Sequence, residues 1–162
     1  MSIWEYANPK KFMQTSGFLL PWVTGLAALT LLVGLIWGFF FTPDADKFGS
    51  TVKIIYLHVP AAMMSISAWT MMLVTSLIWL IRRHHVSALA AKAAAPIGLT
   101  FTLIGLVTGA IWGQPMWGTW WAWDPRLTSF LILALFYLGY IALWEAVENP
   151  DTAADLTSVL AI

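Results

Sequence analysis

Cysteine is absent from this 162-residue chain. That excludes disulfides, thiolate metal sites and covalent C-x-x-C-H cofactor attachment within it, so a cofactor here would be held without covalent bonds. Charge is scarce as well. Charged residues make up 10% of the chain, against about 25% in an ordinary soluble domain. Eight basic side chains balance eight acidic ones, which leaves no basic patch and no reason to expect a nucleic-acid partner. No nucleophile–base arrangement, phosphate-binding loop or metal-hydrolase spacing is visible, so enzymatic activity is not expected. What is abundant is apolar: 60% of the residues, with a mean hydropathy of +0.78. A soluble domain of this size could not hide so much apolar surface, and lipid is the natural solvent.

Four stretches are long and apolar enough to cross a hydrocarbon core of about 30 Å, which takes about 20 residues. They cover about 18–41, 54–81, 93–113 and 129–147. None shows period-2 alternation, and in lipid only helices and closed barrels satisfy the backbone, so the spans are read as helices. The first follows Lys10 and Lys11 like a signal peptide. It is too long for an h-region and lacks a cleavage site, so it is read as a retained span. The expected fold is an all-α, polytopic helical membrane bundle, a single integral membrane domain over 1–162 with a Trp-rich outer loop at 114–128. Lys10, Lys11, Arg82, Arg83 and Lys92 fall on one side of the membrane, and Lys47, Lys53 and Arg126 on the other. By the positive-inside rule both termini and an 82–92 loop are cytoplasmic. The 42–53 and 114–128 loops then face outward, which in a bacterial inner membrane is the periplasm. The tail after Val147 is polar, and Ser158 to Ile162 could open a further span.

Eleven tryptophans are present, and their placement is more informative than their number. Trp4, Trp22, Trp37, Trp79 and Trp144 suit an interfacial aromatic belt. Trp112, Trp117, Trp120, Trp121 and Trp123 crowd into twelve residues, which a belt does not require. Within WGTWWAWDPRLT, Trp117, Trp120, Trp121 and Asp124 stand at i, i+3, i+4 and i+7, one face if the segment is helical. Gly113, Pro115 and Gly118 are expected to break the chain before it and let it lie along the membrane surface. Such a platform suits a planar, apolar, polarisable ligand. Arg126 either pairs with Asp124 or lipid phosphate, or grips a ligand carboxylate bidentately.

Of three histidines, His84 and His85 follow Arg82 and Arg83 and read as interfacial. His58 lies in an apolar segment, where an ionisable group is a functional hypothesis by default. It stands 23 residues before Ile81, about 35 Å along a helix, which puts it at the outer rim with the tryptophans. Pro60 disfavours helical geometry at Val59 and places His58 at a helix start or kink. An interfacial hydrogen-bonded histidine and a ligand to a bound group both fit. Met63, Met64, Met71 and Met72 are read as helix packing, and Gly105 and Gly109 as a G-x-x-x-G close approach. Glu145 and Glu148 read as solvated.

The Trp-rich run resembles the WWD signature of the haem-handling protein superfamily. The fuller string GQPMWGTWWAWDPRLTS is similar to the haem exporter protein C (CcmC) branch, which serves cytochrome c maturation. IIYLHVPAA (54–62), APIG (95–98) and LVTGAIWG (106–113) fit the same resemblance, which covers nearly the whole chain. It implies non-covalent, b-type haem taken at the outer face of the bacterial inner membrane and presented to a haem chaperone. It implies as partners an ABC-type ATPase with its membrane subunit and a small single-span helper. By position, His58 matches the first of the family's two haem-ligating histidines, and its expected role is axial ligation of haem iron. Trp117, Trp120, Trp121, Trp123 and Asp124 match the platform on which the porphyrin would stack, and Arg126 would neutralise a propionate. The family's second histidine lies after a fifth span and has no counterpart here. Either the chain is a fragment of a six-span fold, or it gives the iron one ligand. Two other functions fit a membrane bundle, a small-molecule permease and a structural subunit of a transport complex. The span centres lack the charges a permease usually carries. A membrane oxidoreductase with buried haem would need histidine pairs, and only His58 is available.

Overall fold

The computed structural model describes residues 8–162, which are helical apart from short connections. Four helical segments are long and apolar enough to cross a membrane: Pro9–Phe41, Ser50–Arg82, His85–Trp117 and Pro125–Ala146. The chain is a multi-pass helical membrane protein, as its composition requires. It divides into two compact units, 1–43 and 44–162.

The first unit is helix α1, Pro9–Ile36, ending in a π-helical turn, Trp37–Phe41. It begins nine residues before the apolar run because Asn8 and Pro9 start it. The Asn8 side chain accepts the Lys10 amide at 2.9 Å, and Pro9 sits where a missing N–H costs nothing. Trp22 and Trp37 are exposed, as a belt residue would be. Trp4 lies outside the described residues.

In the second unit a 3-10 turn, Ser50–Ile54, feeds α2, Ile55–Arg82. Pro60 lies inside α2, and Val59 stays helical before it, contrary to the local preference. His58 is nevertheless in the first turn of the α-helix, as expected. Helix α3, His85–Trp117, follows after two residues. The expected 82–92 loop is therefore mostly helix. Arg83 turns the chain in the left-handed conformation at φ 51°, its amide bonding the Trp79 carbonyl at 2.7 Å. His84 caps α3 by accepting the Ser87 amide at 3.3 Å. Lys92 made the segment look like a loop, but its ammonium lies 4.6 Å over the Trp144 ring, a contact that accommodates the charge.

Helices α2 and α3 pack through small side chains spaced three and four apart. Ala61, Ser65, Ala68, Met72, Ser76 and Trp79 are buried on α2. Ala88, Ala91, Ala95, Gly98, Thr102, Gly105 and Thr108 are buried on α3. Without a hydrophobic drive between helices in lipid, such residues let backbones approach and pack. The Ser65 and Thr102 hydroxyls bond across the seam at 2.6 Å. Met72 joins this core, whereas Met63, Met64 and Met71 are exposed.

Helix α4, Pro125–Ala146, returns along α3. The Tyr137 ring fills the space a Cβ at Gly98 would need, and its hydroxyl donates to the Ser65 carbonyl at 2.7 Å. One side chain thus ties three helices. Gly105 admits Phe130, and Gly109 admits His58 and Leu127, so the G-x-x-x-G is a close approach as read. Glu145 and Glu148 are exposed. The polar tail instead forms α5, Pro150–Leu160, capped by Asn149. Its Ala153, Ala154, Thr157 and Ser158 are buried, and it packs on α2 and α4. Ser158 to Leu160, expected to open a further span, lie in this helix.

Candidate functional site

The site is built where α2 begins and α3 ends. Running 33 residues each, these two helical segments are about 50 Å long, so they project beyond a hydrocarbon core of about 30 Å. His58, half-buried, bridges them: its Nδ1 lies 3.0 Å from the Thr108 hydroxyl. A Cβ at Gly109 would stand 3.2 Å from His58 Cε1, so glycine is what lets the ring lie against α3.

The expected helical platform does not form. Helix α3 runs through Gly113 and Pro115 and ends at Trp117. Gly118 breaks it at φ +72°, in the left-handed region that glycine enters without strain, and its amide closes on the Gln114 carbonyl at 2.9 Å. The next residues form an irregular loop. The Thr119 hydroxyl donates to the Trp121 carbonyl at 3.0 Å and fixes its bend. Pro125 then forces Asp124 into an extended conformation, from which Asp124 caps α4. The i, i+3, i+4 spacing of the tryptophans therefore does not place them on one helical face.

Asp124 accepts the Leu127 amide at 2.8 Å and the Arg126 guanidinium at 2.8 and 3.2 Å. The Leu127 amide first, and the guanidinium second, hold its carboxyl below the usual carboxylate range. Arg126 also lies over the Trp117 ring, 5.1 Å from its centre. The expected pairing with Asp124 is present, the contact with Trp117 was not expected, and both partners flank one cavity.

That cavity is a cleft of about 220 Å³. His58 and Gly109 form one wall, Trp112 and Trp117 another, and Asp124, Arg126, Leu127 and Phe130 close it. Of the residues singled out in the sequence, His58, Trp117, Asp124 and Arg126 are brought together here. Trp120, Trp121 and Trp123 are not in its lining. Trp120 and Trp123 are exposed on the loop beyond it, and Trp121 packs edge-on against Trp123 at 5.4 Å. Trp112 is a wall that the site reading left out. The signal was available: it stands one turn past Thr108 on α3 and meets Trp117 edge-on at 5.8 Å.

Trp79 and Trp144 were assigned to the belt, and neither behaves as a belt residue. Trp79 is fully buried, and its indole N–H donates to Asp155 at 2.9 Å. Trp144 packs against the core with its N–H buried and unpaired. His85 is exposed, with its ring 5.4 Å from that of Trp79.

The chemistry of the cleft is specific in kind. It offers one imidazole, two indole surfaces, apolar walls and a guanidinium beside a carboxylate. Among the described residues no group of three or more His, Asp or Glu side chains could hold a metal ion.

Known proteins resemble this chain over its whole length. Residues 2–162 match the family described as heme exporter protein C (CcmC). Across its whole length the chain is 78% identical to heme exporter protein C of Rhodobacter capsulatus and 76% identical to that of Paracoccus denitrificans, covering 67% of each. It is 44% identical over 158 residues to heme exporter protein C of Escherichia coli K12, covering 98% of this chain and 64% of that one. The chain therefore spans about two thirds of the length of these relatives, and by a match over nearly all its residues it belongs to the heme exporter protein C family.

Proposed function

We propose that this chain handles haem as cargo, holding it non-covalently, as b-type haem, at the outer rim of the bacterial inner membrane for transfer to a haem chaperone of cytochrome c maturation. The observation that carries this is the single cleft shared by His58, Trp112, Trp117 and Arg126. Haem iron brings four ligands of its own, so one imidazole is enough to anchor it. Neutral imidazole is a common axial ligand. Indoles offer a flat apolar surface at low entropic cost. Arg126 can exchange Asp124 for a propionate, which suits the same bidentate geometry.

The cleft's 220 Å³ is below the roughly 300–1,000 Å³ of a pocket that encloses its ligand. A porphyrin would insert one edge and leave the rest over the exposed indoles of Trp120 and Trp123. Trp121 would stiffen that loop. Partial enclosure suits cargo that must be handed on. The chain makes no bond in haem and is not an enzyme in this reading. Both ends of the chain, and the Arg83–His84 turn, face the cytoplasm by the distribution of Lys and Arg. The partners are the chaperone, an ABC-type ATPase with its membrane subunit, and a small single-span helper.

Haem titration of the purified protein in detergent tests this. The wild type should show a histidine-type Soret band, and His58→Ala should lose it with affinity falling more than about tenfold, a 1.4 kcal/mol effect. Identical spectra and affinities would remove His58 from the site and the proposal with it.

A further inference from the structure

The hydrogen bond behind His58 has a direction, and the direction decides which ring nitrogen can meet a metal. Thr108 is buried in the third helix. Its hydroxyl lies 2.6 Å from the Ile104 carbonyl oxygen. A carbonyl can only accept, so the hydroxyl proton is committed there. The same oxygen lies 3.0 Å from His58 Nδ1. With its one proton used, that oxygen can only accept, and the ring must donate. A neutral imidazole with its proton on Nδ1 carries its lone pair on Nε2.

We propose that Thr108 is a positioning residue for His58, holding the ring as the Nδ1–H tautomer so that Nε2 is the atom offered to haem iron; this rests on the haem-handling reading above. The arrangement is a relay across two helices, from the His58 N–H through the Thr108 hydroxyl to the Ile104 carbonyl. Such chains polarise one another. Donation from the far nitrogen orients a ligating histidine and raises its basicity. Gly109 adds a second, independent restraint on the same ring. A Cβ there would stand 3.2 Å from Cε1, tight enough to push the imidazole off the helix. Two successive residues of α3 thus set the ring's tautomer and its depth.

The test compares Thr108→Val, Thr108→Ala and Thr108→Ser with the wild type and His58→Ala, all as the full chain in detergent with haem added. Circular dichroism checks folding, and Ala guards against a Val variant that does not fold. Haem affinity is measured by titration, and the iron–imidazole stretch of the ferrous protein by resonance Raman spectroscopy. Val and Ala should bind haem about 10–100-fold more weakly, the usual loss for an outer-shell partner, with the stretch moved to lower frequency. Ser, which keeps the hydroxyl, should restore both. Wild-type affinity and an unshifted stretch in Val and Ala, with His58→Ala still defective, would overturn the role of Thr108 and leave the haem site standing. A Ser variant as weak as Val would also overturn it, assigning the effect to the methyl group. If His58→Ala itself binds like wild type, the underlying haem reading is what fails.

Discussion

The second unit has two ends, and tryptophan is used differently at each. Beside the Arg83–His84 turn, Trp79 is 1% exposed. Its N–H is paired with Asp155, Arg83 lies 5.4 Å over its ring, and Arg83 closes an ion pair with the same Asp155. Trp144 nearby lacks an N–H partner but carries the Lys92 ammonium on its face. At the other end, Trp123 is 77% exposed, Trp117 faces an open cleft, and the Trp121 N–H is buried without a partner. The first end has spent its aromatic contacts on holding helices together. The second leaves them open. Open aromatic surface, rather than the pairing of each N–H, is what separates the two ends.

If that division is real, substitutions at the two ends should separate stability from binding. The largest effect belongs to Trp79→Ala. Emptying a buried tryptophan site costs about 3–5 kcal/mol, and the unfolding midpoint in detergent should drop sharply while any folded fraction binds haem normally. Gly98→Ala should cost about 1–3 kcal/mol by the same measurement, because Tyr137 must leave the space it fills. Trp117→Ala should reverse the pattern, weakening haem binding about tenfold, roughly 1.4 kcal/mol, with the midpoint nearly unchanged. Trp123→Ala, outside the cleft, should lie within a few-fold of wild type; an effect equal to that of Trp117→Ala would mean that the loop, not the cleft, holds the ligand.

The smallest effect concerns Asp124. Its carboxyl titrates below the usual range, so its capping of α4 is fully present above about pH 3.9, the ordinary aspartate value. It is lost as the pH falls further, through the depressed folded value. Arg126 should then be released, and Trp117 emission should change in that window in the wild type and not in Asp124→Asn.

The spans were legible because lipid leaves a plain mark, long runs without charge. Their ends were not. Lys92 read as loop because a charge so near a span looks solvated, and its resting place on Trp144 is a tertiary fact. Helix α5 escaped because its buried face is alanine, serine and threonine, and small-residue packing has no hydropathy signature. His58 was found by counting residues along its helix, which is geometry that a sequence does contain. The shape of the tryptophan run was misjudged because helical spacing says nothing about Gly118, whose positive φ ends the helix, or about Pro125, which holds Asp124 extended. Trp112 was overlooked as a wall because the Trp-rich run drew attention past it, and only the pairing of α2 with α3 brings His58 into the same cleft.

The two-residue connection at Arg83–His84 has a remote effect. It allows no slack, so it indexes one helix against the other like the fixed end of a vernier. One residue inserted there would turn α3 by about 100° relative to α2. Thr108, about 36 Å along the helix from His84, would then face away from His58. The facing of Thr108 and His58 is thus calibrated from the far end of both helices, at a connection two residues long.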